Sequence, residues 1–282
     1  MLEIPVAAFT PTIRLVVTAD GFGASDARTR GILAAHRDGI LTGTSVRGNA
    51  PDRALIMAQL ASVPRLGTGV MLVLTGGAPV APIHEVPSLL GPAGNFPPNV
   101  SDVLLAWAKA SLRANDLERE FDAQVSRWRD AGLRVEHLCS EAIPGALPIV
   151  AAATENVARK HGITGLRILG ERPTLAWAAD VPRGLATAAI GVLGWYNRRH
   201  MGPLRHGPQT WGHFDGGHMD EIRLLEILGR LGPGSHEILC SPDSDESGPS
   251  PGDRDRTALC APRVREAVTR RRIELCRWAD LF

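Results

Sequence analysis

The chain has 282 residues, of which 44% are hydrophobic and 22% charged, so one sizeable core can be buried and the composition is that of a globular protein. A formal net charge of +1 sets up no strong overall field for nucleic acid or an anionic membrane. No run of about 18 uninterrupted apolar residues occurs, so no membrane span is expected. Residues 184–195 come closest, but they are short and glycine-rich and read as a buried or interfacial helix. The N-terminus lacks the basic-then-apolar pattern of a signal peptide. Cys139, Cys240, Cys260 and Cys276 form no CxxC pair and read as free thiols, which implies a cytoplasmic address.

In chain order, residues 14–19 are an apolar, β-branched run that predicts a buried strand. It stops at Asp20-Gly21-Phe22-Gly23, whose glycines permit a tight turn, and Ser25 or Asp26 caps a helix that runs to Asp38. A strand at 42–47, a helix after Asp52 and a strand at 67–75 follow. Residues 76–100 are Pro/Gly-rich, and a loop of that length inside a compact domain is usually functional. Helices are expected at 101–113, 115–131 and 147–161, with strands at 135–140 and 165–169 between and after them. The remainder reads as a helical stretch at 174–201, a strand at 210–214, a helix at 219–231 and a strand at 237–240. Residues 243–257 read as a mobile Ser/Asp/Pro/Gly loop, 261–271 as a last helix, and 273–275 as a short apolar end.

Strands alternating with helices argue for parallel pairing with right-handed crossovers. Without a Gly-x-Gly-x-x-Gly or Walker motif, the expectation is one domain over residues 1–282, a distorted, TIM-like (β/α) barrel of about seven parallel strands. Chemistry in such barrels sits at the C-terminal strand ends. Those ends carry Asp20, Asn49, Met71 with Thr75, Ser140 with Glu141, Arg167, His213 with Asp215, and Ser241 with Asp243.

Several of these segments resemble one family in order and spacing. They are Leu15-Val-Val-Thr-Ala-Asp-Gly-Phe-Gly23, Gly39-Ile-Leu-Thr-Gly-Thr-Ser45, Gly69-Val-Met-Leu-Val-Leu-Thr75, His137-Leu-Cys-Ser140, Gly216-Gly-His-Met-Asp220 and Glu237-Ile-Leu-Cys-Ser-Pro242. They resemble the YdjC-type carbohydrate deacetylases, the ChbG and HpnK group, and residues 75–96 are most like the hopanoid-associated HpnK branch. The resemblance implies a metal-dependent hydrolase that removes acetyl from an N-acetylated sugar, with a divalent cation polarising the amide and a carboxylate taking the water proton. It also implies a small carbohydrate or sugar-lipid ligand and is consistent with a homodimer.

Matched residue by residue, the resemblance is incomplete. Asp20 stands for the first aspartate of the family's opening turn, but Gly21 replaces the second. Met71 replaces the third-strand histidine, and Glu141-Ala142-Ile143-Pro144-Gly145 replaces a histidine-rich turn. Glycine offers no ligand and a thioether suits neither Mg²⁺ nor Zn²⁺. No cofactor is therefore expected unless a substitute set such as Asp20, Glu141 and Asp243 exists.

Two readings of each candidate stay open at this level. Asp20 is a surviving base or substrate-binding carboxylate, or a turn residue capping backbone amides. Glu141 forms a catalytic pair with Asp20, as glycosidases do, or is a solvent-exposed loop residue. Arg167 holds a sugar or pairs with Asp20. Asn49, His213 and Asp215 are further substrate-binding candidates; a metal site from His213 and His218 matches no standard spacing. Trp177, Trp195, Tyr196 and Trp211 line a carbohydrate surface or serve as core or dimer contacts. The resulting expectation is a deacetylase scaffold without its metal chemistry. The rivals are metal-free carboxylate chemistry on Asp20 and Glu141, and a non-catalytic binding or regulatory partner of an active homologue.

Overall fold

A computed structural model describes residues 12–171, 180–201, 207–244 and 250–282. Trp177 and His206 lie outside them. The first strand, β1 (Ile13–Phe22), is central to a parallel sheet in which β2 (Gly43–Arg47), β3 (Gly67–Leu72), β4 (His137–Ser140) and β5 (Gly165–Leu166) follow on one side. On the other side lie β7 (Gly234–Cys240) and then β6 (Gln209–Trp211). The sheet curls into a distorted half-barrel. Its open seam lies between β5 and β6, where single contacts replace a ladder: Gly207 N–H donates to the Leu166 carbonyl at 3.0 Å, and Gly170 N–H to the Thr210 hydroxyl at 3.0 Å.

The β1 sequence explains its position. Leu15, Val17 and Ala19 belong to the large apolar core, whereas Val16 packs with Cys276 and Trp278 on the opposite face. By strand alternation Thr18 and Asp20 share the interior face with Val16. The barrel therefore has an apolar exterior under its helices and a mixed, partly charged interior.

The apolar end near 273–275 is a strand, β8 (Ile273–Leu275), which pairs with Ile13–Leu15 along the part of the β1 edge that β2 leaves free. From there the chain carries Trp278 beneath the sheet. Trp278 is fully buried and stacks on His137, with centroids 4.7 Å apart and planes 14° apart. A glycine makes room for this stack, since a Cβ at Gly69 would come within 2.4 Å of the His137 ring.

Neither His137 nitrogen has a hydrogen-bond partner. Burial, then the charge of Arg167, lowers its pKa to about 3. The folded protein thus binds fewer protons here than the unfolded chain from pH ~6.5 downward, and stability falls with pH by about 1.4 kcal/mol per unit across that window. His137→Phe keeps the stacking and removes the titration. Urea denaturation should show the variant gaining on the wild type between pH 7 and 5.

The helices are α1 (Asp26–Asp38), α2 (Arg53–Ala61), α3 (Val100–Ala108), α4 (Ala114–Asp130), α5 (Ala142–Ala146), α6 (Pro148–Lys160), α7 (Val181–His200), α8 (Glu221–Arg230), α9 (Pro251–Cys260) and α10 (Pro262–Arg270). Two differ from expectation. The loop predicted over 243–257 gives way to α9 at Pro251, because Pro fits the first helical position and the Asp253 carboxylate accepts the Ser250 N–H at 2.8 Å. The stretch after Glu141, read as a turn, is the one-turn helix α5. His161, at the end of α6, is half-buried and bonded to Asp122 at 2.8 Å.

Candidate functional site

Asp20 sits where β1 ends, at a register shift between Asp20 and Phe22 in the pairing with β2. The extra residue is Gly21, at φ +86°, a backbone angle that glycine adopts without strain. The Asp20 carboxylate points inward and its side chain remains 30% exposed at the mouth. One oxygen accepts from the Ser45 hydroxyl and lies 3.8 Å from the Cys139 thiol. The other accepts from Arg167 Nη1 at 2.5 Å. Burial opposes the charge on Asp20, but the Arg167 guanidinium and the hydrogen bonds from Arg167 and Ser45 outweigh it and hold the pKa below the usual Asp value.

Arg167 stands one residue past β5, its N–H still bonded to the Leu138 carbonyl at 2.9 Å. Its side chain is 2% exposed and lies between two carboxylates. Nε reaches both Glu237 oxygens at 3.0 and 2.9 Å, and Nη2 reaches one at 2.5 Å. Burial works against the guanidinium charge, yet Asp20 and Glu237 prevail and raise its pKa. Trp278 Nε1 donates to Glu237 at 3.2 Å, so the polar chain runs Trp278–Glu237–Arg167–Asp20 from floor to mouth. Neither Glu237 nor Trp278 was a candidate by sequence. A lone acid in phase with the interior face of an apolar strand was the available signal.

Around Asp20 the remaining neighbours are poor ligands. The Cys139 thiol is buried, its pKa pushed up by that burial and by Asp20, and it donates to Ser45 at 3.2 Å. Met71 is partly buried against the core. A Cβ built on Gly21 would lie 3.9 Å from the Met71 methyl carbon.

Glu141 is engaged and largely covered, not a solvent-exposed loop residue. One oxygen accepts from the Leu74 and Thr75 amides at 2.8 and 3.1 Å, the other from the Thr75 hydroxyl at 2.5 Å. Asn49 also braces this loop, donating to the carbonyls of Gly76 and Ala78 at 3.0 and 3.1 Å. Arg47, which sequence reasoning passed over, completes the brace through Asn49 at 3.0 Å and the Thr75 carbonyl at 2.5 Å. Glu141→Ala strips an acceptor from two amides and a hydroxyl, and the expected loss is about 1–3 kcal/mol. Thermal denaturation should show it, together with faster proteolysis within 76–100.

On the far side of the mouth His213 is half-buried and electrostatically coupled to Asp20. Burial, then the charge of Arg183, lowers its pKa, while Asp20 acts in the opposite direction. Asp215 turns away to Arg223 at 3.0 Å. Asp243 pairs with Arg28 at 2.9 Å. Asp255 holds the β7 end by accepting the Ser241 amide at 2.7 Å. The structure thus brings Asp20, Arg167 and the field of His213 together, and assigns Asn49, Glu141 and Asp215 hydrogen bonds within the protein. No group of three or more His, Cys, Asp or Glu is arranged to hold a metal among the described residues. A cavity of about 30 Å³ adjoins Arg167 between Ser140, Thr154 and Leu166, room for about one water.

Comparison with known proteins supplies the lineage. A carbohydrate deacetylase of Mus musculus is 29% identical over 306 aligned positions, 96% of this chain and 96% of that protein. One from Geobacillus stearothermophilus is 27% identical over 228, covering 80% and 78%. One from Brevibacillus brevis is 35% identical over 147, where this chain spans 56% of that protein's length. The crystal structure of an Enterococcus faecalis V583 protein assigned to cellobiose-phosphate cleavage shares the fold, with a TM-score of 0.76 at 23% identity, covering 96% of this chain and 99% of that one. The YdjC-like protein model matches residues 14–270, from the start of β1 to the end of α10, and leaves only β8 of the sheet outside it: the chain belongs to the YdjC-like family.

Proposed function

We propose that this chain is a carbohydrate deacetylase-like protein that has given up metal-dependent amide hydrolysis and binds a small carbohydrate or sugar-bearing lipid at the mouth around Asp20. The name carbohydrate deacetylase, shared by its relatives, supports the sugar. The observation that carries the loss is the meeting of Gly21 and Met71, since a Cβ at one faces the methyl of the other at 3.9 Å. A carboxylate already held by a guanidinium, a neutral thiol and a thioether are a poor donor set for Mg²⁺ or Zn²⁺. The substitute set gains no support, with Glu141 on the Leu74 and Thr75 amides and Asp243 on Arg28.

With its pKa held low, Asp20 is a weak general base that stays ionised, and its partly exposed carboxylate is an acceptor for sugar hydroxyls. Metal-free glycosidase chemistry requires a second available carboxylate, and the bonds on Glu141 weigh against it. The apolar Met71 at the mouth favours the reading as a non-catalytic partner of an active homologue. A cytoplasmic, homodimeric protein of the hopanoid-associated branch is part of the same proposal.

An acetate-release assay on N-acetylated sugars, with Mg²⁺ or Zn²⁺ supplied, tests the hydrolytic half. The expected result is no release above the protein-free control. Release that disappears in Asp20→Asn would sink the proposal.

A further inference from the structure

The outward face of α7 is apolar over most of its length. Val181, Leu185, Val192, Trp195 and Tyr196 are each at least 42% exposed, and Ala186 and Ala189 lie exposed between them. Its polar residues Thr187 and Asn197 turn inward and are buried. The helix is fixed by that inner side: Asn197 donates to the Ala146 carbonyl at 2.9 Å, Arg198 to the Ile168 carbonyl at 2.6 Å. Gly194 permits the contact, since a Cβ there would stand 1.9 Å from the Leu169 carbonyl oxygen. The glycine-rich stretch is therefore not a buried helix. Its Gly194 serves the seat, and of its larger apolar residues Ile190 is buried while Leu185, Val192 and Trp195 face outward.

The C-terminal end of this face carries a cation–π pair and a ring stack. Arg199 lies over Trp195, 4.7 Å from the ring centroid, and His200 stacks on Tyr196 with centroids 4.0 Å apart. No acidic residue occurs from Val181 to His200, although the whole chain is almost neutral. The exposed residues from Leu185 to Val192 carry no hydrogen-bonding side chain, and the polar groups that follow, the Trp195 indole N–H and the Tyr196 hydroxyl, gather at one end, whereas a protein interface spreads hydrogen bonds across its area. An apolar stripe ending in Trp and Tyr beside cations is instead the chemistry of a helix lying in a bilayer surface, aromatics at headgroup level and cations on phosphates.

We propose that α7 docks the protein onto an anionic lipid surface. The inference does not depend on the chemistry of Asp20. It places the mouth beside the bilayer, because α7 lies on the residues following β5 and its Arg183 reaches the Gly216 carbonyl at 2.8 Å.

The test is co-sedimentation of the full chain with vesicles of phosphatidylcholine alone or mixed with phosphatidylglycerol. Binding to the mixed vesicles is expected. Arg199→Gln should weaken it about fivefold, the loss for one cation near an anionic surface. Val192→Asp, at an exposed position, should abolish it and leave the melting temperature unchanged. Absence of binding, or binding indifferent to both substitutions, overturns the proposal. So does light scattering that shows a dimer which Val192→Asp converts to monomer without any vesicle binding, since the face would then belong to a second copy.

Discussion

Arg167→Met is expected to destabilise the protein by about 3–5 kcal/mol in urea denaturation at neutral pH, because it leaves a buried carboxylate without its partner. Glu237 has no exposed surface and accepts from Arg167 through two nitrogens. Arg167→Lys keeps the charge but cannot fork between Asp20 and Glu237, so it should fall between wild type and methionine. Glu237→Gln in the methionine background removes the stranded charge and should recover part of the loss.

The pH dependence separates this electrostatic account from simple packing damage. In the wild type the Asp20 pKa is depressed, so its contribution is present above the unfolded value near pH 4 and is lost as pH falls through the folded pKa. Without Arg167 the Asp20 carboxylate takes up a proton more readily. The deficit of the methionine variant should therefore shrink on acidification. A cavity would give a deficit independent of pH.

Trp278→Ala is expected to have an effect of similar size, about 3–5 kcal/mol, by emptying the floor of the barrel. The ring is 1% exposed, stacks on His137 and donates to Glu237. A Cβ at Gly207 would approach its ring to 2.5 Å and one at Gly165 to 3.1 Å, so the glycines around it are shaped to this side chain. Trp278→Phe keeps most of the volume and loses the N–H, and should fall about 1–2 kcal/mol short of wild type. Both values are read from denaturation midpoints at unchanged slope.

The parts of this fold that were legible in the sequence are those set by local chemistry. The run 14–19 and the glycines after Asp20 announce a buried strand and a tight turn, and both occur at β1. The regular placement of Ile222, Leu224, Leu225, Ile227 and Leu228 announces α8. Where composition was ambiguous, the reading failed. The segment Ser250-Pro251-Gly252-Asp253 has loop residues, but their order is that of a helix start.

The site was legible by position more than by role. Asp20 and Arg167 were singled out because barrel chemistry gathers at strand ends, and the two side chains pair. Glu141 and Asn49 occupy strand ends too, yet they stabilise the backbone of the loop after β3. Spacing along a chain does not distinguish a carboxylate that faces solvent from one that caps amides. The Trp278–Glu237 half of the buried chain was not legible at all, since it depends on a tail folding back beneath β1 through contacts hundreds of residues apart.

The central proposal is that Asp20 belongs to no metal site. Calorimetric titration of the full chain with Zn²⁺, and in parallel with Mg²⁺, tests it most directly. The account predicts heats equal to dilution for wild type and Asp20→Asn alike. Saturable one-site binding in the wild type that vanishes in Asp20→Asn would contradict it.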